Sequence, residues 1–144
     1  MFLLRKVRKS RWERAVGGGA EAIAEAADDL SYRPQEEGLS VYEVTEGEAQ
    51  TFAFHWCSVH QQTSDKPFDY LLISPDLIPE GALTATLDGA GDALLDERHR
   101  EIKFEGTFTP DAFARSILRS DRKPVRIPKG ELRAGVEQLR RRGP

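Results

Sequence analysis

The amino-acid sequence predicts an α+β fold, in which a small mixed or antiparallel sheet of about four strands is covered by about four helices. Three patterns carry this prediction: apolar and polar residues alternate over 39–44, a helical apolar stripe spans 20–30, and Thr109-Pro110 marks a helix start. Half-apolar strands need helices to bury against. With 144 residues, of which 39% are hydrophobic and 31% charged, residues 1–144 form a single domain with one modest core.

Four strands are predicted near residues 39–44, 69–74, 83–87 and 99–104. The second is a short apolar run that ends at Ser74-Pro75, and the last carries Ile102 and Phe104 on either side of Lys103. Residues 1–14 mix apolar and basic side chains. Two interpretations stay open for them, an edge strand or a short helix anchored by Trp12.

Four helices are predicted near residues 20–30, 46–61, 109–119 and 129–141. In the second of these, aromatic residues also keep the two-residue spacing of a strand, but the length of the segment and its acidic start favour a helix. In the third, Thr109 can cap the helix and Pro110 suits its first turn.

Charge is segregated along the chain, although the formal net charge is only −3. Residues 1–19, a basic segment with a break at Gly17-Gly18-Gly19, hold six basic side chains and one acid; residues 20–97 hold seventeen acids and two basic side chains. Residues 98–144 hold thirteen basic side chains and six acids, and 121–144 form a basic helical segment. Either the basic ends fold back on the acidic middle, or they form a positive face for an anionic partner.

The start of the chain lacks the features of a secretory signal, because the apolar Met1-Phe2-Leu3-Leu4 precedes the basic residues rather than following them. No apolar run is long enough to span a bilayer. A single cysteine excludes an intramolecular disulfide. These observations predict a cytoplasmic protein with no membrane partner.

The segment from His55 to His60 is the first candidate for chemistry. Cys57 and His60 stand three residues apart, which on one helix face suits two metal ligands or a nucleophile with its base. A metal site needs further ligands that this sequence does not supply nearby, so neither a metal nor another cofactor is predicted. We favour packing as the role of this segment.

His99 is the second candidate, because it lies between Arg98 and Arg100 and close to acidic residues. As a functional site, either His99 would act as a general base or the two arginines would grip a phosphate. A solvated charged element is the favoured interpretation.

The basic ends are the third candidate, since an aromatic residue among arginines suits stacking on a base or anchoring at a protein interface. The predicted binding residues are Trp12, Arg11, Arg14, Arg98, Arg100, Arg133, Arg140 and Arg141.

Three short motifs resemble those of a group of small, uncharacterised bacterial proteins. Here they read Arg5-Lys-Val-Arg-Lys-Ser-Arg-Trp12, Leu39-Ser-Val-Tyr42, and Phe68-Asp-Tyr-Leu-Leu72 followed by Arg98-His-Arg-Glu-Ile102. The group carries a basic start ending in Trp, then LSVW-, DYAL- and WHRDL-like motifs, over what corresponds to residues 5–119. This chain has Tyr42 and Arg98 where the group has Trp. The resemblance implies a bacterial, cytosolic accessory protein and no known activity.

The leading hypothesis is a non-catalytic accessory or adaptor protein that binds a larger protein partner in a bacterial pathway. Segregated charge favours electrostatic docking, and no complete catalytic set of residues is visible. Two alternatives stay open. One is a nucleic-acid-associated factor that uses the basic ends, and the other is a small enzyme centred on His99 or Cys57.

Overall fold

A central antiparallel sheet lies between two layers of helices in the computed structural model, which describes residues 1–60, 66–86 and 91–142. The strands in these ranges are β1 (Phe2–Lys6), β2 (Leu39–Val44), β3 (Phe68–Ile73), β4 (Leu83–Ala85), β5 (His99–Ile102) and β6 (Val125–Ile127). Their order is β4-β5-β2-β1-β3-β6, and every neighbouring pair is antiparallel. The predicted α+β class is confirmed, but about four strands was too few, because β1 and β6 were not counted.

Strand β1 is a central strand, which neither interpretation of residues 1–14 anticipated. Leu4 lies opposite Tyr42 of β2 on one side and Leu72 of β3 on the other. Leu3 and Leu4 point to opposite faces of the sheet, and both are buried. A strand covered on both faces reads as an apolar run rather than an alternating one. The helix that was the second alternative also exists, but it follows β1 as a separate element.

The first face of the sheet, which carries Leu3, Val41 and Leu71, packs against three helices. These are α1 (Lys9–Ala15), α2 (Ala20–Asp28) and α5 (Pro110–Arg119). The apolar stripe predicted for α2 is buried there. The Thr109 hydroxyl accepts a hydrogen bond from the Ala112 N–H at 3.1 Å, so the predicted cap of α5 is also confirmed.

The second face, which carries Leu4, Tyr42 and Leu72, packs against the other three helices. These are α3 (Ala49–Val59), α4 (Ala93–Arg98) and α6 (Lys129–Arg142). Helix α3 lies within the predicted 46–61, whereas α4 was not predicted. Helix α6 buries Leu132 and Val136, so its first half belongs to the core, and only its last turn stands out as basic surface.

Two predicted elements run beyond the described residues. The strand predicted over 83–87 is present as Leu83–Ala85, and residue 87 lies outside the described ranges. The same holds for residue 61 of the predicted second helix. A short 3-10 helix, Pro75–Leu77, follows β3. Among the described helices, none has the length and apolar character needed to cross a bilayer.

Candidate ligand pocket

The basic ends of the chain lie against its acidic middle. In the N-terminal segment, Arg11 pairs with Asp29 at 3.1 Å. In the C-terminal segment, Arg126 pairs with Asp69, with its Nε 2.8 Å from Oδ1 and its Nη2 3.0 Å from Oδ2. Further pairs of the same kind are Arg14–Glu25 and Arg122–Glu46. This is the first of the two arrangements that the charge layout allowed, and it removes much of the positive face.

Trp12, predicted as a binding residue, is a core residue instead. Only 1% of its surface is exposed, and its indole N–H donates to Oδ2 of Asp29 at 3.0 Å. Residues 9–15 form a helix that turns Trp12 inward onto the first face, so its ring is not exposed for stacking on a ligand. Arg11, on the same helix, is held by the same carboxylate.

The two arginines beside His99 are also engaged within the protein. Arg98 pairs with Glu48 and donates to the backbone carbonyl of Glu43 at 3.0 Å. Arg100 pairs with the Glu43 carboxylate at 2.7 Å. A phosphate grip would have to break these pairs. The remaining predicted binding residues are exposed along α6 and at its end, far in sequence from the others: Arg133, Arg140 and Arg141.

Cys57 lacks the surroundings of a reactive thiol. Its side chain lies on the buried side of α3. Burial raises the pKa of the thiol to about 11, and the nearby Lys6 charge lowers this pKa slightly. A thiol with that pKa stays protonated at neutral pH. His60, its candidate base, packs its ring on Trp56 with the ring centroids 4.3 Å apart. No group of three or more metal-ligating side chains occurs in the described ranges.

A pocket of about 220 Å³ opens on the second face, where β1, β2 and β3 meet α3. Its walls are mainly aromatic, with Trp56 packed against Phe68 at a centroid distance of 5.7 Å. Burial raises the pKa of the Tyr42 hydroxyl, and the Trp56 side chain lowers it a little. The lining residues are Leu4, Arg5, Lys6, Ser40, Tyr42, Trp56, His60 and Phe68. The site thus combines apolar surface with polar groups from two adjacent strands.

Besides Arg5, whose guanidinium donates to backbone carbonyls, this pocket receives positive charge from Lys6. Its Nζ lies 5.5 Å from the ring centroid of Trp56 and 5.8 Å from that of Phe68. Within the part of the chain that the structure describes, no carboxylate forms an ion pair with it. Burial lowers the pKa of the Lys6 ammonium, and the nearby charges of Lys66, Arg5 and Arg8 lower it further. A bound anion would relieve this repulsion.

Ser40 and His99 form the polar side of the site. The ladder between β1 and β2 ends at Leu4 and Tyr42, and the alternation of side chains along each strand puts the next second-face residues, Lys6 and Ser40, on the same side of the sheet. The Ser40 Oγ lies 2.9 Å from Nε2 of His99, whose ring stacks on Tyr42 at 5.1 Å. Burial lowers the pKa of His99, against the opposing charges of Glu101 and Asp96, so its imidazole is neutral at pH 7.

Of the three candidate catalytic residues, His60 and His99 therefore lie at or near one pocket, whereas Cys57 is buried. Sequence reasoning missed Lys6, although its position in β1 gives a signal. The residues of β1 on the second face are Phe2, Leu4 and Lys6, and Lys6 is the one that is charged. Ser40 carried no signal, because its partner His99 lies 59 residues away. Comparisons with protein-family models, curated proteins and solved structures find no match for this chain.

Proposed function

We propose that the protein is a cytoplasmic accessory or adaptor protein that binds an acidic segment of a larger bacterial protein at the Lys6 pocket. The observation that carries this proposal is the Lys6 ammonium, which lies over an aromatic wall and has no carboxylate partner among the described residues. Most of the other candidate arginines are already paired within the protein.

Charge complementarity supports an acidic partner. Lys6, Lys66 and Arg8 are exposed, and the charges of Lys66 and Arg8 act on the Lys6 ammonium. Like charges gathered in this way attract an acidic surface and speed its encounter. The aromatic walls then provide the desolvated contact from which interfaces gain most of their affinity.

Affinity capture with matched variants tests the proposal. Wild-type protein, Lys6→Ala and Lys103→Ala are each used to capture partners from a related bacterial lysate, with and without nuclease. Lys103 is exposed at the end of β5, so its substitution removes the same charge outside the pocket. We expect one stoichiometric protein that survives nuclease, is retained by Lys103→Ala and is lost with Lys6→Ala.

Other outcomes overturn the proposal in distinct ways. Capture that disappears with nuclease and weakens steeply with salt would favour the nucleic-acid alternative. Equal capture by wild type and Lys6→Ala would remove the pocket from the interaction. Capture of no stoichiometric protein by the wild type would remove the adaptor role itself.

One observation favours a second candidate, a small enzyme centred on His99. The 2.9 Å contact between Ser40 Oγ and His99 Nε2 has the geometry of a serine nucleophile and its general base. Ester hydrolysis would begin with attack of Oγ on the acyl carbon while its proton passes to Nε2. That proton then leaves with the alcohol, and water releases the acid. A fluorophosphonate probe that labels wild type but not Ser40→Ala would support this candidate.

A further inference from the structure

We infer that the pocket receives the C-terminal residue of the partner, with its carboxylate between Lys6 and Ser40 and its apolar side chain against Trp56 and Phe68. This inference rests on the proposed function and specifies which part of the acidic segment enters the pocket.

The size of the pocket limits what it admits. A volume of about 220 Å³ corresponds to about seven water molecules at roughly 30 Å³ each. One amino-acid residue fits that space, and further residues of the same chain would lie across its open side. The rest of the acidic segment would lie outside, near the exposed Lys66 and Arg8.

The chemistry of the walls selects the kind of residue. Lys6 and Ser40 call for a carboxylate, while the Trp56 and Phe68 rings call for an apolar group in the same small space. An internal Asp or Glu spends its side chain on the carboxylate and brings little apolar surface. An internal Phe or Leu has a neutral backbone. Only a chain terminus with an apolar side chain supplies both, and capture of a terminal carboxylate is a recurrent mode of peptide recognition.

Lys6 is placed to move onto such a ligand. Its ammonium now covers the faces of Trp56 and Phe68. A charge-assisted hydrogen bond to a carboxylate is stronger than a cation–π contact at an exposed site. When Lys6 turns toward the carboxylate, it uncovers the aromatic surface that the ligand's side chain needs.

Ser40 supplies the second donor through its contact with His99. In the tautomer that carries hydrogen on Nε2, the imidazole donates to Ser40 Oγ, 2.9 Å away. The Ser40 hydroxyl is then free to donate its own proton to the carboxylate. His99 is therefore a positioning residue, because it acts on the ligand through Ser40.

The experiment compares two short acidic peptides of identical sequence that end in Phe, one with a free carboxylate and one with a C-terminal amide. Binding is followed in the ¹⁵N-labelled full chain by the two tryptophan indole N–H signals. Trp56 lines the pocket, whereas Trp12 is buried on the first face and bonded to Asp29, so it serves as an internal control. Phenylpropionate serves as a free small-molecule carboxylate.

We expect the free-acid peptide to shift the Trp56 signal alone and to bind at least about tenfold more tightly than the amide, the value of one charge-assisted hydrogen bond. Lys6→Ala should abolish the preference, and Lys103→Ala should keep it. Equal binding of both peptides that still depends on Lys6 would overturn this inference and leave the proposed function standing. Binding of neither peptide would count against both. If phenylpropionate binds as tightly as the free-acid peptide, the occupant of the pocket is a small-molecule carboxylate rather than the C-terminus of a partner protein, and the inference is overturned.

Discussion

Arg5 and Lys6 are neighbours in β1 and point to opposite faces of the sheet, and the two faces treat their charges differently. On the first face, Arg5 donates through Nε to the Asp29 carbonyl and through Nη1 to the Ser40 carbonyl, both at 3.0 Å. On the second face, the Lys6 ammonium lies over the rings of Trp56 and Phe68, and among the described residues no carboxylate forms an ion pair with it. The hydrogen bonds of the fold therefore hold the Arg5 guanidinium but not the Lys6 ammonium.

Asp29 shows how thoroughly the first face satisfies its polar groups. Its carboxylate accepts hydrogen bonds from the Arg8 backbone N–H at 2.9 Å, from the Trp12 indole at 3.0 Å and from Arg11 at 3.1 Å. Buried polar groups with complete partners stabilise a fold, whereas the exposed Lys6 ammonium is solvated and adds little to stability either way. The comparison teaches that basic residues in this chain divide by their partners rather than by their position in the sequence.

The largest expected effect is a loss of stability when the Asp29 hydrogen bonds on the first face are removed. Asp29→Ala should lower the free energy of unfolding by about 3 kcal/mol, because it leaves the buried Trp12 indole without its acceptor and removes the Arg11 pair. Urea unfolding measures the change. Asp28→Ala is the matched control, since the Asp28 side chain is exposed and should change stability by less than about 0.5 kcal/mol. Similar values for the two variants would refute the role of Asp29.

The second prediction tests whether reagents in solution reach the Cys57 thiol on the second face. Because burial raises the pKa of Cys57 from 9.0 to about 11, its thiolate fraction in the folded protein is about 100-fold below that in the unfolded chain at mildly alkaline pH. Iodoacetamide should therefore label the native protein at least that much more slowly than the urea-unfolded protein. The raised pKa also means that stability is lost as pH rises from 9 through 11. Rapid labelling of Cys57 in the native protein would show that the pocket extends to the buried side of α3 and exposes the thiol.

A smaller effect tests the contact between α3 and α6 behind the pocket. A Cβ at Gly135 would stand 2.5 Å from a ring atom of Phe54, so Gly135→Ala should lower the free energy of unfolding by about 1–2 kcal/mol. Gly130 lies in the same helix and has open space around it. Gly130→Ala should raise stability by up to about 1 kcal/mol, because alanine favours helix. Thermal unfolding of both variants decides, and equal shifts would show that Phe54 moves aside freely.

The smallest expected effect on stability is that of Lys6→Met, a variant that distinguishes a role of Lys6 in binding from a role in folding. Lys6→Met keeps the length of the side chain over Trp56 and Phe68 and removes a charge that has no carboxylate partner among the described residues. It should change the free energy of unfolding by less than about 0.5 kcal/mol. The same variant should lose the partner in affinity capture. A loss of about 3 kcal/mol or more, as expected when a buried pair is broken, would make Lys6 a structural residue like Arg5.

The elements that the sequence predicts correctly are those with local signals. The alternation in β2, the stripe of α2 and the cap at Thr109 each lie within one segment, and each appears in the structure. The central position of β1 was not predicted, because a strand that is buried on both faces has no alternating pattern, and β6 was not predicted at all. The pocket depends on pairings between distant segments: Lys6 with Trp56, and Ser40 with His99. No local pattern in the sequence encodes such contacts.

The central place of β1 determines how the sheet opens. Strands β4, β5 and β2 lie on one side of it and β3 and β6 on the other, and among the described strands only β1 pairs with both groups. Partial unfolding that releases β1 would divide the sheet into two unconnected halves and uncover both layers of the core at once. The amides of Leu3 to Arg5 should therefore exchange with solvent only through global unfolding, so that β1 makes the two halves of the sheet a single cooperative unit.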